Sequence, residues 1–274
     1  MALFSIDTET CNQDGICAAV CPAMVIDFRK GEFPEPAAGA EELCIRCGHC
    51  VAVCPTGSLS HRVMAVEDCP PIKKEERLSR AQCEQFIRAR RSIRIYKDTP
   101  VPQEEIANLI ELARYAPSGH NTQSVQWLAM GTRTEIDKLA GLTVDWMRWV
   151  LNNQKEMALA MHLDAAVGLW EAGKDIILRQ APAVIVAHAP EEDMMAPTSS
   201  TIALTYLELV ATSMGLGTCW AGYLRIAATN FPPVKQALAL PKGHQCLGAM
   251  MVGYPSVRYQ RLPTRKTPAV IWRW

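Results

Sequence analysis

Four cysteines fall within one short stretch, Cys44-Ile-Arg-Cys47-Gly-His-Cys50-Val-Ala-Val-Cys54-Pro55, at the spacing C-x2-C-x2-C-x3-C-P. Three thiolates wrapped that closely in a tight loop can each hold one iron of a cubane, while the fourth leaves on the next turn ahead of a proline. A zinc site is the bland alternative, yet zinc knuckles usually pair two separated C-x2-C hooks around one ion. Free structural cysteines have no reason to keep this register. The spacing predicts iron–sulfur chemistry.

The pattern occurs earlier too, as Cys11, Cys17, Cys21 and Pro22, with Asp14 where the second cysteine would stand. Two such halves resemble bacterial two-cluster ferredoxins, and that resemblance implies crossed ligation. One 4Fe-4S cluster would sit on Cys44, Cys47, Cys50 and Cys21. The other would take Cys11, Cys17 and Cys54, with Asp14 facing the fourth iron. A carboxylate is harder than a thiolate and suits cluster iron less well. A labile fourth iron is therefore expected, giving a 4Fe-4S or 3Fe-4S centre, unless Asp14 is a loop residue that never touches iron. Cys69 lies beyond the motif pair and is a weaker stand-in. Gly31, Pro34, Pro36 and Gly39 punctuate a loop between the motifs. So small a region has little core of its own, and its clusters would supply much of its folding free energy.

The elements that follow change character. His61 to Val66 reads as a last strand, and the charged, proline-broken run from Glu67 to Arg77 reads as a connection. Ser79-Arg-Ala-Gln82 has the form of a capping box opening a helix. A basic cluster follows in Arg88, Arg90, Arg91 and Arg94, and a second helix begins near Pro102. Ile106, Leu109, Ile110 and Ala113 fall on one face of it. It ends in Ala116-Pro-Ser118-Gly-His-Asn121-Thr-Gln123, a turn rich in hydrogen-bonding side chains.

Arg90-Arg91-Ser92-x-Arg94-x-Tyr96, the Pro-Val-Pro helix start and Ala-Pro-Ser-Gly-x-Asn-x-Gln together resemble the FMN-dependent nitroreductase family. Further matches follow in order: Ala181 to Ala187 as a central strand, Ile202 to Gly217 as a long buried helix, and Trp220-Ala221-Gly222 after it. Leu247 to Val252 then reads as a strand, closing on Gly253-Tyr-Pro255, with Pro263-Thr-Arg265-Lys266 beyond it. The resemblance spans roughly Cys83 to Trp274. It implies three parts: a ferredoxin-like domain over 1–66, a linker over 67–82 and a flavin-binding domain over 83–274. The implied fold class is α+β, a mixed and largely antiparallel sheet flanked by helices, plus the small iron–sulfur domain.

FMN carries a phosphate of about two negative charges and a ring whose edge becomes anionic on reduction, so it needs cations and donors at both ends. The resemblance places Arg90, Arg91 and Ser92 at the phosphate and ribityl end, joined by Arg265 and Lys266. It sets Arg94 near N1 and the O2 carbonyl, as a possible flavin-tuning residue. Ser118, Asn121 and Gln123 would contact the ribityl chain or the pyrimidine edge. Backbone N–H groups of Trp220, Ala221 and Gly222 would face N5 and O4, with glycine permitting close approach. The turn departs from the family pattern in reading Gln123-Ser124-Val125-Gln126-Trp127, so the wall beside the ring is expected to differ.

Thr134 to Arg179 is helical in pattern and rich in Trp146, Met147, Trp149, Met157, Met161, His162 and Trp170. Such residues serve as plain core at least as readily as a substrate wall. His162 is expected to be a satisfied helix histidine and Gly173 a break between helices. Cys83, Cys219 and Cys246 are isolated and are expected to be core thiols. No Ser-His-Asp arrangement, Walker loop or HExxH motif is present.

Lys plus Arg and Asp plus Glu are equal, at 28 each, so net charge gives no argument for nucleic acid or an anionic membrane surface. No apolar run has the length of a membrane span. The N-terminus lacks the basic region and cleavable apolar core of a secretion signal, and eleven cysteines then fit bound or reduced thiols in a cytoplasmic protein. The resulting expectation is an FMN oxidoreductase, homodimeric by the family resemblance. Its clusters would pass electrons to FMN, which reduces a nitro-aromatic or similar electron-poor small molecule, with ferredoxin or NAD(P)H as donor. Two other readings stay open. One is an electron-transfer iron–sulfur flavoprotein with a protein partner. The other is an NAD(P)H-dependent flavin reductase whose clusters are structure or an electron exit.

Overall fold

The computed structural model of the chain describes residues 2–274, which divide by contacts into two units. The first runs to Arg77 and includes His120–Thr122, and the second comprises Leu78–Gly119 with Gln123–Trp274.

The first unit is a pseudo-repeat of short elements: β1 (Phe4–Ile6), α1 (Ile16–Ala19), β2 (Ile26–Asp27), β3 (Glu35–Pro36), α2 (Ala40–Leu43), α3 (His49–Val53) and β4 (Leu59–His61). β1 pairs antiparallel with β4, Phe4 opposite His61, and β2 pairs antiparallel with β3. Each motif turns into its helix through a glycine in the left-handed region, Gly15 at φ 69° and Gly48 at φ 72°. A Cβ would be strained at both by the backbone alone, and would also collide with the Phe28 ring at Gly15 and with Met64 at Gly48. Those turns deliver Cys17 and Cys50 at equivalent points on α1 and α3. The core is thin, made of Leu3, Phe4, Val25, Ile26, Val51 and Leu59 with cysteine side chains packed around them.

The strand expected over His61 to Val66 lies slightly earlier. His61 and Met64 exchange both backbone hydrogen bonds in a local turn, which uses the groups a longer strand would need.

The second unit contains α4 (Arg80–Ala89), α5 (Gln103–Ala113), β5 (Gln126–Met130), α6 (Arg133–Asn153), α7 (Lys155–Ala160), α8 (Leu163–Glu171) and β6 (Ala183–Pro190). It continues with α9 (Ala196–Ser213), β7 (Gly217–Trp220), α10 (Gly222–Asn230), α11 (Pro232–Leu238) and β8 (His244–Gly253). The strands form one sheet in the order β5-β6-β8-β7, every pairing antiparallel. Alternation along β6 sends Val184 and Val186 to one face, where they pack with the buried side of α6, α8, α10 and α11. Ala183, Ile185 and Ala187 point to the other face, against α5 and α9. The unit is thus three layers, a helix layer on each side of the sheet, in agreement with the α+β expectation.

Local chemistry explains several boundaries. Ser79 caps α4 in a complete capping box with Gln82. On α5, Ile106, Leu109 and Ala113 are buried as the spacing predicts. The long helix begins at Ala196, before the Ile202 expected from the apolar run, because the Asp193 carboxylate accepts the N–H groups of Met195 and Ala196. Gly173 follows the end of α8 and does not separate two helices. The breaks fall instead at Gln154 and at His162, whose φ of 51° takes the chain through the left-handed region. His162 is accordingly an exposed junction residue, not one inside a helix. Trp146 and Met147 are fully buried core residues, whereas Trp149 is exposed. Among the described residues, no helix is long and apolar enough to cross a membrane.

Candidate functional site

The first unit encloses two cavities, and cysteines ring both. The first is lined by Cys21, Cys44, Cys47 and Cys50, with His61 among the remaining wall residues. Cys11, Asp14, Cys17 and Cys54 line the second. Each cavity therefore draws three positions from one motif and the fourth from the other. Among the described residues, no three His, Cys, Asp or Glu side chains converge as a single-ion site. Thiols spread around a cavity, not gathered on a point, suit a polynuclear cluster better than zinc. The donor set fits in type as well, seven thiols and one carboxylate. Cys69 lines neither cavity, and its thiol donates to the Ala65 carbonyl.

The two cavities differ in their electrostatics. Burial pushes the Cys50 thiol up to about 11, reinforced by neighbouring Cys47 and Cys21. Burial raises Cys17 in the same way. At Cys54 burial also pushes upward, but the Thr56 hydroxyl and the amides of Leu59, Thr56 and Ser58 outweigh it and hold the thiol below its ordinary value. Bound iron would reverse the burial penalty by supplying positive charge at the sulfurs. Asp14 is exposed, and its Oδ1 accepts the Ile16 N–H at 3.0 Å. His61 was not singled out by the sequence. It is buried, accepts the Val63 N–H on Nδ1 at 3.2 Å and sets Nε2 3.7 Å from Cys44 Sγ.

In the second unit, the basic stretch lies beside β7, held by the Ile93 N–H donating to the Thr218 carbonyl at 2.8 Å. Arg90 closes α4 and pairs at 2.8 Å with Glu208, a buried carboxylate on α9. Arg91 faces the Tyr259 ring, and its Nε is buried without a hydrogen-bond partner. A buried orphan N–H on a guanidinium is costly unless an acceptor arrives, so this position fits an anionic group such as a phosphate. Burial raises the Cys219 thiol, while Arg94, Arg179 and the Ser92 side chain oppose it. Burial likewise drives the Tyr96 hydroxyl far above its usual range, and the same two arginines oppose it. Arg179 is thus a cation near the site that no sequence pattern indicated.

Other expected residues are placed unevenly. Ser118 Oγ accepts the Gln123 N–H at 3.0 Å. In this turn His120, Asn121 and Gln123 all have positive φ, a conformation uncommon for residues with side chains. The Asn121 amide donates to the carbonyls of Ile45 and Arg46, so its donors are engaged there and not waiting for a cofactor edge. Ala221 is buried and its N–H already donates to the Ala249 carbonyl. Of the expected trio of amides, that one is committed within the sheet. Gly222 opens α10, where the first amides have no intrahelical partner. A Cβ there would meet nothing within 4 Å. Trp220 ends β7 and is half-buried. Arg265 and Lys266 lie in the exposed segment after β8, apart from the basic stretch in sequence and in no ion pair among the described residues.

A model of the nitroreductase family matches residues 87–254, and one of a 4Fe-4S dicluster domain matches residues 3–55. The chain is 27% identical over 180 residues to an FMN reductase [NAD(P)H] of Bacillus subtilis (strain 168), covering 66% of this chain and 68% of that protein. It is 26% identical over 176 residues to a putative NAD(P)H nitroreductase, YfhC, of the same organism, covering 62% and 82%. Among solved structures, a nitroreductase with bound FMN from Bacteroides fragilis NCTC 9343 aligns with a TM-score of 0.57 at 20% identity, over 69% of this chain and 98% of that one.

Proposed function

The chain belongs to the nitroreductase family, and from that premise we propose that it is an FMN-dependent oxidoreductase fed by its own iron–sulfur clusters, reducing a nitro-aromatic or similarly electron-poor small molecule. The carrying observation is the partition of eight ligand positions into two cavities, each completed by the opposite motif. One 4Fe-4S cluster is assigned to Cys21, Cys44, Cys47 and Cys50. The second is assigned to Cys11, Cys17 and Cys54 with Asp14 at the fourth position, holding four irons or three. When bound, FMN supplies hydride transfer at N5 and the clusters supply one-electron transfer.

The chain's own residues then have separable tasks. Arg91 binds the cofactor phosphate through its free Nε, and Ser92 lies at the same end. Glu208 orients Arg90 by the ion pair across to α9. Arg94 and Arg179 place positive charge where a reduced flavin ring carries its negative charge. Ser118 and Gln123 form the polar turn beside the ribityl chain, and the Gly222 amide faces the ring edge at the start of α10. Arg265 and Lys266, from the C-terminal segment, join the phosphate end, and the working form is a homodimer, as the family resemblance implies. The division into 1–66, 67–82 and 83–274 and a cytoplasmic location belong to the same proposal.

A stopped-flow comparison tests the wire. In wild-type protein, reduced ferredoxin should bleach the flavin absorbance quickly, and in the double variant Cys47→Ser, Cys50→Ser it should not. Equal rates would overturn it. The NAD(P)H-linked names of both Bacillus subtilis relatives favour a second reading, direct reduction by NAD(P)H. Fast bleaching by NADPH in that same double variant would select it.

A further inference from the structure

His61 ends β4 with both backbone groups engaged by Met64, and its side chain is 6% exposed. Its ring is oriented by a single local bond, the Val63 N–H donating to Nδ1 at 3.2 Å. A nitrogen that accepts an N–H carries no proton of its own. A neutral imidazole holds one proton, so here it must sit on Nε2. That nitrogen is 3.7 Å from Cys44 Sγ, within reach of a hydrogen bond to sulfur. The same sulfur receives the Arg46 N–H at 3.4 Å. Among the described residues no imidazole lines the second cavity, where Cys54 receives the Ser58 N–H at 3.3 Å and meets the Thr56 hydroxyl at 3.6 Å.

We propose that His61 is a tuning residue whose Nε2–H donates to Cys44 Sγ and raises the reduction potential of the first cluster relative to the second. The inference rests on the cluster assignment proposed above. Reduction adds one electron to a cluster and takes up no proton at His61, which already holds the one it donates. The added charge spreads onto the sulfurs, so a donor at Cys44 stabilises the reduced form more than the oxidised form. The donor is built into the fold by the Val63 amide and the His61–Met64 turn, not recruited when the cluster is reduced.

The full chain, purified anaerobically, is titrated with dithionite and followed by electron paramagnetic resonance. His61→Phe removes the donor while filling the space, and His61→Gln returns an N–H. His61→Phe should shift the electron-sharing constant between the clusters about tenfold towards the second, equivalent to about 59 mV for one electron. His61→Gln should recover part of that shift, and the second cluster's potential should stay fixed. An unchanged first potential with both clusters loaded overturns the proposal. Wild-type protein with nitrogen-15 histidine gives an independent reading by pulsed resonance if His61→Phe does not assemble. His49 lines the same cavity, so a weakly coupled histidine nitrogen on the reduced first cluster that persists in His49→Gln supports the donor, and its absence overturns it. Wild-type protein that binds no iron sinks the cluster assignment itself, an outcome distinct from a loaded cluster indifferent to His61.

Discussion

The two cysteine cavities start from one pattern and end with different chemistry. Both are approached through a left-handed glycine and a short helix, and both borrow one position from the opposite motif. The first has four thiols, with a buried imidazole at Cys44; the second has three thiols and an exposed carboxylate. Arg90 and Arg91 repeat the lesson at the scale of neighbouring residues. One is paired with Glu208 and the other keeps a buried Nε unpartnered. Repetition in sequence sets a scaffold, and the surroundings then give each copy its own charge and donors.

The largest effect should come from breaking the crossing. Cys21→Ala should remove the first cluster although it lies in the first motif, and Cys54→Ala the second. Iron content and resonance signals would report both losses, together with a weakened melting transition in the thin-cored first unit. If Cys54→Ala instead removed the first cluster and spared the second, the comparison would collapse.

Asp14→Cys should make the cavities alike. Mild oxidation of wild-type protein should yield a three-iron signal that is largely absent from the variant. A three-iron signal of equal size in both would assign iron loss to some cause other than the carboxylate.

The arginines offer the next largest effect. Arg91→Ala should weaken FMN retention by roughly 1.5–3 kcal/mol, the size of a charge-assisted contact, without a comparable loss of stability. Arg90→Ala should also lower the thermal stability of the second unit, because the buried Glu208 carboxylate is left alone. Isothermal titration with FMN alongside a melting curve separates the two. Identical behaviour of both variants would erase the distinction. Ser79→Ala should cost about 1 kcal/mol by removing the cap of α4 while leaving both clusters' signals unchanged. It thereby checks that ordinary destabilisation does not mimic the larger effects.

Local chemistry was legible where neighbours in the chain are neighbours in space. The motif spacing, the Ser79–Gln82 box and the buried face of α5 all depend on residues a few positions apart. The start of α9 was not legible because Asp193, which holds the amides of Met195 and Ala196, precedes the apolar run that marks the helix. Glu208 left a faint sign, a lone acid in an apolar helix, for a buried carboxylate requires a partner. Its partner Arg90 lies 118 residues away, and nothing in the spacing names it.

By itself the sequence determined which atoms were available: seven thiols and a carboxylate in two registers, a run of arginines, and helices with readable faces and caps. Only the tertiary structure decided which of those atoms are still free. It tied the Ala221 amide to Ala249, set the His61 ring against Cys44 and gave Glu208 to Arg90 rather than Arg91. The physical reason is that each donor or acceptor satisfies a limited number of bonds. Which bond it makes depends on what the fold brings within a few ångströms, and local spacing does not carry that information.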